Sequence, residues 1–159
     1  MIRVQREDFD VGAELAALTA GRHEVGGLAS FVGLVRDLAP ADGGGPLKAM
    51  TLEHYPGMTE KLLAEIEAEA QRRWPLSASL VIHRYGRLEP GERIVLVATA
   101  SAHRAAALES CGFLIDWLKT KAPFWKQEEQ DAGARWVEAR GEDEAAAAKW
   151  LRGEGSEAR

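Results

Sequence analysis

The spacing of apolar positions divides the chain into alternating strands and helices. Ile2-Arg3-Val4 reads as a short strand, and residues 11–19 place Val11, Leu15 and Leu18 at helical spacing. Residues 26–36 mix β-branched, aromatic and glycine residues and read as a strand. Residues 37–46 carry three glycines between two prolines and form a loop; residues 47–55 resume a strand, expected to pair antiparallel with the previous one across it. Pro56 opens a helix where its missing N–H costs nothing. Met58, Leu62, Ile66 and Ala70 give that helix its stripe, widened by Leu63, and Pro75 ends it. Residues 79–85 and 93–100 flank Glu89-Pro90-Gly91-Glu92, a turn signal, and are expected to pair. Residues 101–121 read as the second long helix, with Ser101 as its cap and Leu108, Cys111, Leu114, Ile115 and Leu118 as its buried stripe. Pro123 stops it. Two short strands, 124–128 and 135–138, precede an alanine-rich helix over 142–151. The pattern predicts an α+β fold, its sheet mostly antiparallel with helices packed to one side, as a single domain over 1–150 with a frayed tail over 151–159.

Composition narrows the function. The chain has 159 residues, of which 46% are hydrophobic and 28% charged, the balance of a globular protein. The net charge of −5 argues against a general grip on nucleic acid but leaves room for a small anion held by a few clustered cations. No run of about 18 apolar residues suggests a membrane span, and the first residues lack the apolar core of a secretion signal. The one cysteine, Cys111, permits no intrachain disulfide and no multi-thiolate metal site, which is consistent with a reducing cytoplasm. His23, His54, His83 and His103 show no metal-ligand spacing with one another or with Cys111, so neither metal nor cofactor is expected. Cys111 falls on an apolar stripe and reads as a buried small hydrophobe.

Two segments carry candidate chemistry. Ser101-Ala102-His103-Arg104 sits where a strand hands over to a helix, and helix N-termini favour anions. Lys119 to Lys126 brackets a helix stop and the Phe124-Trp125 pair; cations there complement the helix dipole, while apolar walls beside an ammonium lower its pKa and make it usable in catalysis. Arg36 ends a strand beside the glycine loop, and Arg140 follows Trp136-Val137-Glu138. Together these cations suggest a basic pocket on an acidic chain, although nothing in the spacing brings them together. The triple glycine lacks the Lys-Ser/Thr of a P-loop and reads as a flexible connection.

Leu52-Glu53-His54-Tyr55-Pro56-Gly57-Met58, Ile82-His83-Arg84, Ser101-Ala102-His103-Arg104, Leu118-Lys119 with Ala122-Pro123-Phe124-Trp125-Lys126, and Trp136-Val137-Glu138-Ala139 resemble, in this order, the large catalytic subunit of molybdopterin synthase. The resemblance runs from about Gly26 to Trp150. It implies an α/β hammerhead fold with an added small β subdomain. It also implies a sulfurtransferase that builds the dithiolene of molybdopterin on cyclic pyranopterin monophosphate. The sulfur comes from the C-terminal Gly-Gly thiocarboxylate of a small ubiquitin-like subunit. The implied assembly is a homodimer of large subunits at the centre of a heterotetramer.

By similarity, Lys119 and Lys126 are the catalytic residues. Lys119 handles protons or forms a transient adduct, and Lys126 stabilises negative charge. Val35, Arg36, His103, Arg104, Glu128 and Arg140 join them in binding substrate, with Arg140 reaching across the dimer. Two positions depart from the family pattern. Leu34 stands where many relatives have a lysine, and Gln127 where some have a basic residue. The competing reading is a non-catalytic module that binds a ubiquitin-like protein or a phosphorylated metabolite; a self-contained sulfur carrier is disfavoured by the lone cysteine.

Overall fold

The two longest strands are apolar on both faces, and the layers of the molecule follow from that. In the computed structural model, which describes residues 1–37, 45–131, 133–137 and 141–151 (backbone only at 141–142), β4 (Leu76–Arg84) pairs antiparallel with β6 (Arg93–Ser101) across the expected turn. Successive side chains on a strand point to opposite faces. Val81, Val95 and Val97 enter one core cluster, while Leu80, Ile82, Leu96 and Ala98 enter another. A sheet buried on both faces needs a covering layer on each. Helices α2 (Met58–Arg73) and α3 (Arg104–Lys121) cover the first face through Leu63, Ile66, Ala70, Phe113, Leu114 and Leu118. Helix α1 (Val11–Thr19) covers the second through Val11, Leu15 and Leu18, which pack with Phe9. The expectation that helices lie on one side only is therefore corrected.

This sheet has the order β1-β4-β6-β2, with β1 (Ile2–Gln5) parallel to β4 and β2 (Gly27–Leu34) antiparallel to β6. A second, wholly antiparallel sheet has the order β5-β3-β7-β8, built from β5 (Gly86–Leu88), β3 (Ala49–His54), β7 (Phe124–Gln130) and β8 (Gly133–Val137). The pairing expected between β2 and β3 does not form. Where β2 ends, Val35 donates its N–H to the Glu92 carbonyl at 2.9 Å and accepts from the Gly91 N–H at 2.8 Å. Leu47, Met50 and Leu52 instead join Val35 and Leu88 in a separate core under the second sheet. Gly86, at φ 92°, lets the chain leave β4 for that sheet before β6 begins. The α+β class and mostly antiparallel pairing thus hold, with the strands divided between two sheets.

The buried stripes also shift. Met58 is 52% exposed, and α2 buries Thr59, Leu63, Ile66, Glu67 and Ala70. The Thr59 hydroxyl is tied to the Tyr55 backbone, accepting from its N–H at 3.0 Å, which turns residue 59 inward. Glu67 is buried because it accepts from the Ser79 hydroxyl at 2.6 Å and from the Met1 amino group. On α3, Leu108 is 64% exposed, while Ala107, Ser110 and Phe113 are buried. Ser101 is not the cap: it ends β6 and donates its hydroxyl to the Pro75 carbonyl at 2.8 Å, and His103 holds the cap position. Helix α4 (Gly141–Leu151) docks on α3, where the Trp150 indole donates to Asp116 at 2.7 Å. Leu151 closes α4, and the rest of the expected tail lies outside the described residues.

Candidate active site

Pro123 cannot continue α3, because it has no N–H to give the helix and its ring clashes with the preceding turn. The Phe124 N–H returns to the Ala122 carbonyl at 2.9 Å, and β7 starts there. Alternate residues of a strand share a face, so Phe124, Lys126, Glu128 and Gln130 form one row. Their partners on β3 are His54, Leu52 and Met50, and on β8 Val137 lies opposite Lys126 and Arg135 opposite Glu128. Leu52 and Met50 place this row on the inner side of the sheet. Glu128 and Gln130 are buried, while Lys126 is exposed. Glu128 is held by Arg135, whose guanidinium lies 3.6 Å away. Trp125 belongs to the opposite face, 6.4 Å from the Tyr55 ring between centroids, so Phe124 alone of the aromatic pair shares the face of Lys126.

Lys119 sits in the last turn of α3, just before the same corner, and is also exposed. Asp143 of α4 lies 3.9 Å from its ammonium. Lys121 is directed elsewhere, with its ammonium 3.6 Å from the centre of the Trp117 ring. The structure therefore separates the two lysines of this turn by environment.

Arg36 belongs to the same end of the molecule. Helix α3 runs back along β6, as contacts from the Thr99 hydroxyl to the Ala107 carbonyl (2.7 Å) and from the Cys111 thiol to the Val97 carbonyl (3.9 Å) show. β2 is antiparallel to β6, so its Leu34 end lies toward the C-terminus of α3. Val35 is buried there with both backbone groups bonded, and the exposed Arg36 follows it.

His103 and Arg104 lie at the other end. His103 has extended dihedrals (φ −127°, ψ 144°), makes no side-chain cap bond and is exposed, as is Arg104. The first amides of α3 have no intrahelical acceptor, and the helix dipole adds partial positive charge. At a rise of ~1.5 Å per residue, Arg104 is roughly 22 Å from Lys119 along the axis. One chain therefore assembles Arg36, Lys119, Lys126 and Glu128 at one end and His103 with Arg104 at the other. The single pocket suggested by composition does not form within one copy. Arg140 lies outside the described residues.

Residues 4–121 match the family model described as MoaE protein. A molybdopterin synthase catalytic subunit from Ralstonia nicotianae is 58% identical over 94% of this chain and 83% of its own length. The chain belongs to the MoaE family. A molybdopterin biosynthesis MoaE protein from Burkholderia ambifaria superposes with a TM-score of 0.80 at 54% identity, covering 95% of this chain and 97% of its own. A molybdopterin synthase structure from Staphylococcus aureus superposes at 0.78 with 27% identity, covering 86% of this chain and 96% of its own. The family match stops at Lys121, but these relatives extend across the β7 corner as well.

Within this MoaE-family chain, Cys111 is buried, and burial pushes its thiol up to about 11, so it offers no thiolate near neutral pH. No helix among the described residues is long and apolar enough to cross a membrane. Three features of the site escape a reading of the sequence. Gly26 and Gly27 press against the start of α3: a Cβ at Gly26 would overlap the Ala102 carbonyl oxygen, and one at Gly27 would lie 3.2 Å from the Arg104 Cα. The glycine doublet was the available signal. Arg135 pairs with Glu128 across strands, which sequence distance conceals. His83 stacks on Phe124 behind the lysine corner, with ring centroids 3.7 Å apart.

Proposed function

We propose that this chain is the catalytic subunit of a molybdopterin synthase, a sulfur-transferring enzyme of molybdenum cofactor biosynthesis. It moves sulfur from the C-terminal thiocarboxylate of a small ubiquitin-like subunit onto cyclic pyranopterin monophosphate, forming the dithiolene of molybdopterin. The observation that supports this most is the corner where α3 stops: exposed Lys119 and Lys126 sit there with Arg36 at the same end, on a chain whose net charge is −5. Both reactants are anionic, and a local group of cations on an acidic protein suits a thiocarboxylate and a cyclic phosphate. Each transfer forms a carbon–sulfur bond and breaks a carbon–oxygen bond on the substrate, the oxygen leaving as water or as the opened phosphate ester, while hydrolysis of the acyl–sulfur bond returns the carrier's carboxylate. Lys126 stabilises the negative charge that develops, as fixed cations do best when already in place. Lys119 handles the protons or holds a transient adduct. Glu128, on the same strand face as Lys126 and paired with Arg135 at 3.6 Å, joins that lysine in binding substrate.

Arg36 binds substrate beside the lysines; Val35, expected to bind as well, is buried with both backbone groups bonded to Gly91 and Glu92 and instead holds Arg36 in place. His103 and Arg104 bind substrate from a second copy, because one copy keeps the two ends of α3 apart, and Arg140 is assigned to that group by similarity to the family. The working assembly is accordingly a homodimer at the centre of a heterotetramer, with residues 1–150 as one functional unit in the cytoplasm. The deciding experiment supplies cyclic pyranopterin monophosphate and a thiocarboxylated small subunit to the purified protein. Molybdopterin should form, and Lys119→Ala should abolish it without loss of folding. Binding of both reactants without product would leave only the binding-module reading.

A further inference from the structure

His83 lies behind the lysine corner, and its surroundings fix both its orientation and its charge. It stands on β4 between Val4 of β1 and Val95 of β6, and is 6% exposed. Its Nδ1 is 2.8 Å from the Arg84 carbonyl oxygen. A carbonyl can only accept, so Nδ1 carries a proton and titration falls on Nε2. The ring stacks on Phe124 at an interplanar angle of 16°. The Phe124 ring is also approached by His54, at 6.1 Å, and His54 in turn meets Tyr85 at 4.5 Å. Phe124 and Lys126 occupy alternate positions on one face of β7, so whatever fixes the Phe124 ring fixes the strand face from which Lys126 projects.

The groups facing His83 do not favour a second positive charge. Burial lowers its pKa to about 4; the Arg84 carbonyl opposes that shift, and Lys126 from β7 and His54 from β3 reinforce it. On its own strand, the Arg84 guanidinium is turned to the Arg93 carbonyl at 2.9 Å and to Glu92 at 3.5 Å. Tyr85 lies under the Arg6 guanidinium at 4.7 Å. The imidazole is therefore neutral at working pH and adds no cation beside Lys126.

We infer that His83 is a positioning residue for Lys126: its ring, oriented by the Arg84 carbonyl, is the platform that seats Phe124 and thereby aims the lysine two residues on. This rests on the role given to Lys126 above. The platform needs a flat, uncharged ring at this place more than it needs the ring nitrogens.

The test is turnover in the reconstituted assembly, with molybdopterin as the product measured and melting temperature as the folding control. His83→Ala should lower kcat about tenfold or more, because misplacing a reacting group by an ångström has effects of that order or larger, with KM nearly unchanged. His83→Phe restores the flat ring and should recover kcat to within about threefold of the unmodified protein by the same reasoning. Phe124→Leu removes the other half of the stack and should reproduce the loss. The double variant should be no worse than the weaker single one, as expected for residues acting through one contact. Full kcat in a folded His83→Ala protein overturns the inference, as do independent, additive losses. A folded His83→Phe protein as slow as His83→Ala overturns it too, because the ring nitrogens would then be needed in the chemistry. Lys126→Ala is run alongside: if it stays active, the site reading fails first and the positioning role fails with it.

Discussion

His103 caps the start of α3 and Lys119 stands in its last turn, so one rigid helix holds them apart by roughly 24 Å at a rise of ~1.5 Å per residue. A substrate that needs both ends must lie between two copies. An equal mixture of Arg104→Ala and Lys119→Ala subunits, unfolded and refolded together, should regain activity that neither variant has alone. Random pairing makes half of the dimers hybrid, each with one intact site of two, so recovery should approach about a quarter of the unmodified rate. If the mixture stays as inactive as its parents, each site is built from a single chain.

Lys119 and Lys121 share a helix turn but not an environment, which gives a second contrast. The Lys121 ammonium lies over Trp117 at 3.6 Å, whereas Lys119 is exposed near Asp143. Lys121→Ala should cost about 0.5–1 kcal/mol of stability through the lost cation–π contact and leave turnover intact. Lys119→Ala should do the reverse. Equal losses of turnover in the two variants would show that the corner responds to total charge alone.

Much of this arrangement could be read from the sequence where local chemistry decides it. Pro123 stops α3 and so places Lys119 and Lys126 at one corner. The Glu89–Glu92 turn brings the chain back from β5, and β6 pairs with β4 as the pattern predicts. What was not legible depended on contacts far apart in sequence. The apolar pattern of β3 suits either sheet, and its pairing with β5 and β7, strands distant in sequence, places it in the second one. Ser101 has the chemistry of a cap, yet the Pro75 carbonyl holds it in β6. The burial of both faces of β4 and β6 requires a helix on each side, which follows only once those strands are known to be central. Arg36, His103, Arg104 and the lysines read as one cationic group because composition carries no distances.

The close approach of Gly26 to the β6–α3 junction yields a prediction at the anion end. Gly26 donates its N–H to the Ser101 carbonyl at 3.0 Å, and there is no room for a methyl group against Ala102. Gly26→Ala should destabilise the fold by about 1–3 kcal/mol, the usual cost of overpacking. It should also weaken substrate binding by displacing His103 and Arg104. Isothermal titration with the cyclic phosphate substrate, together with a melting curve, checks both effects. Unchanged affinity in a destabilised protein would detach the glycine from the site.

Sulfur transfer without a cysteine relay is a further consequence. Cys111 is buried in the main core with its thiol pushed up to about 11. Cys111→Ala should cost on the order of 1 kcal/mol for the lost packing and leave the rate per folded molecule unchanged. Mass spectrometry during turnover should find no persulfide on this residue. A persulfide there, or loss of turnover in the folded variant, would place the thiol on the sulfur's route.

The buried imidazole of His83 gives stability a dependence on pH whose sign can be worked out. Its folded pKa is lowered from 6.5 to about 4, first by burial and then by Lys126 and His54, against the Arg84 carbonyl. Between those values the unfolded chain takes up a proton that the folded chain refuses, so acid favours unfolding. The contribution is complete above about pH 6.5 and declines toward pH 4, by up to about 3 kcal/mol at 1.36 kcal/mol per unit. Asp8, held low first by its bond from Arg93, and Glu69, held low by Arg73 and Arg72, lose their contributions only as pH falls below their unfolded values of 3.8 and 4.5. The histidine's window is therefore largely its own. Urea unfolding at pH 7 and at pH 4.5 should show a steep loss in the unmodified protein and a loss smaller by about 2–3 kcal/mol in His83→Phe. Parallel behaviour of the two proteins would mean that His83 is already charged in the folded state, and that a second cation does lie beside Lys126.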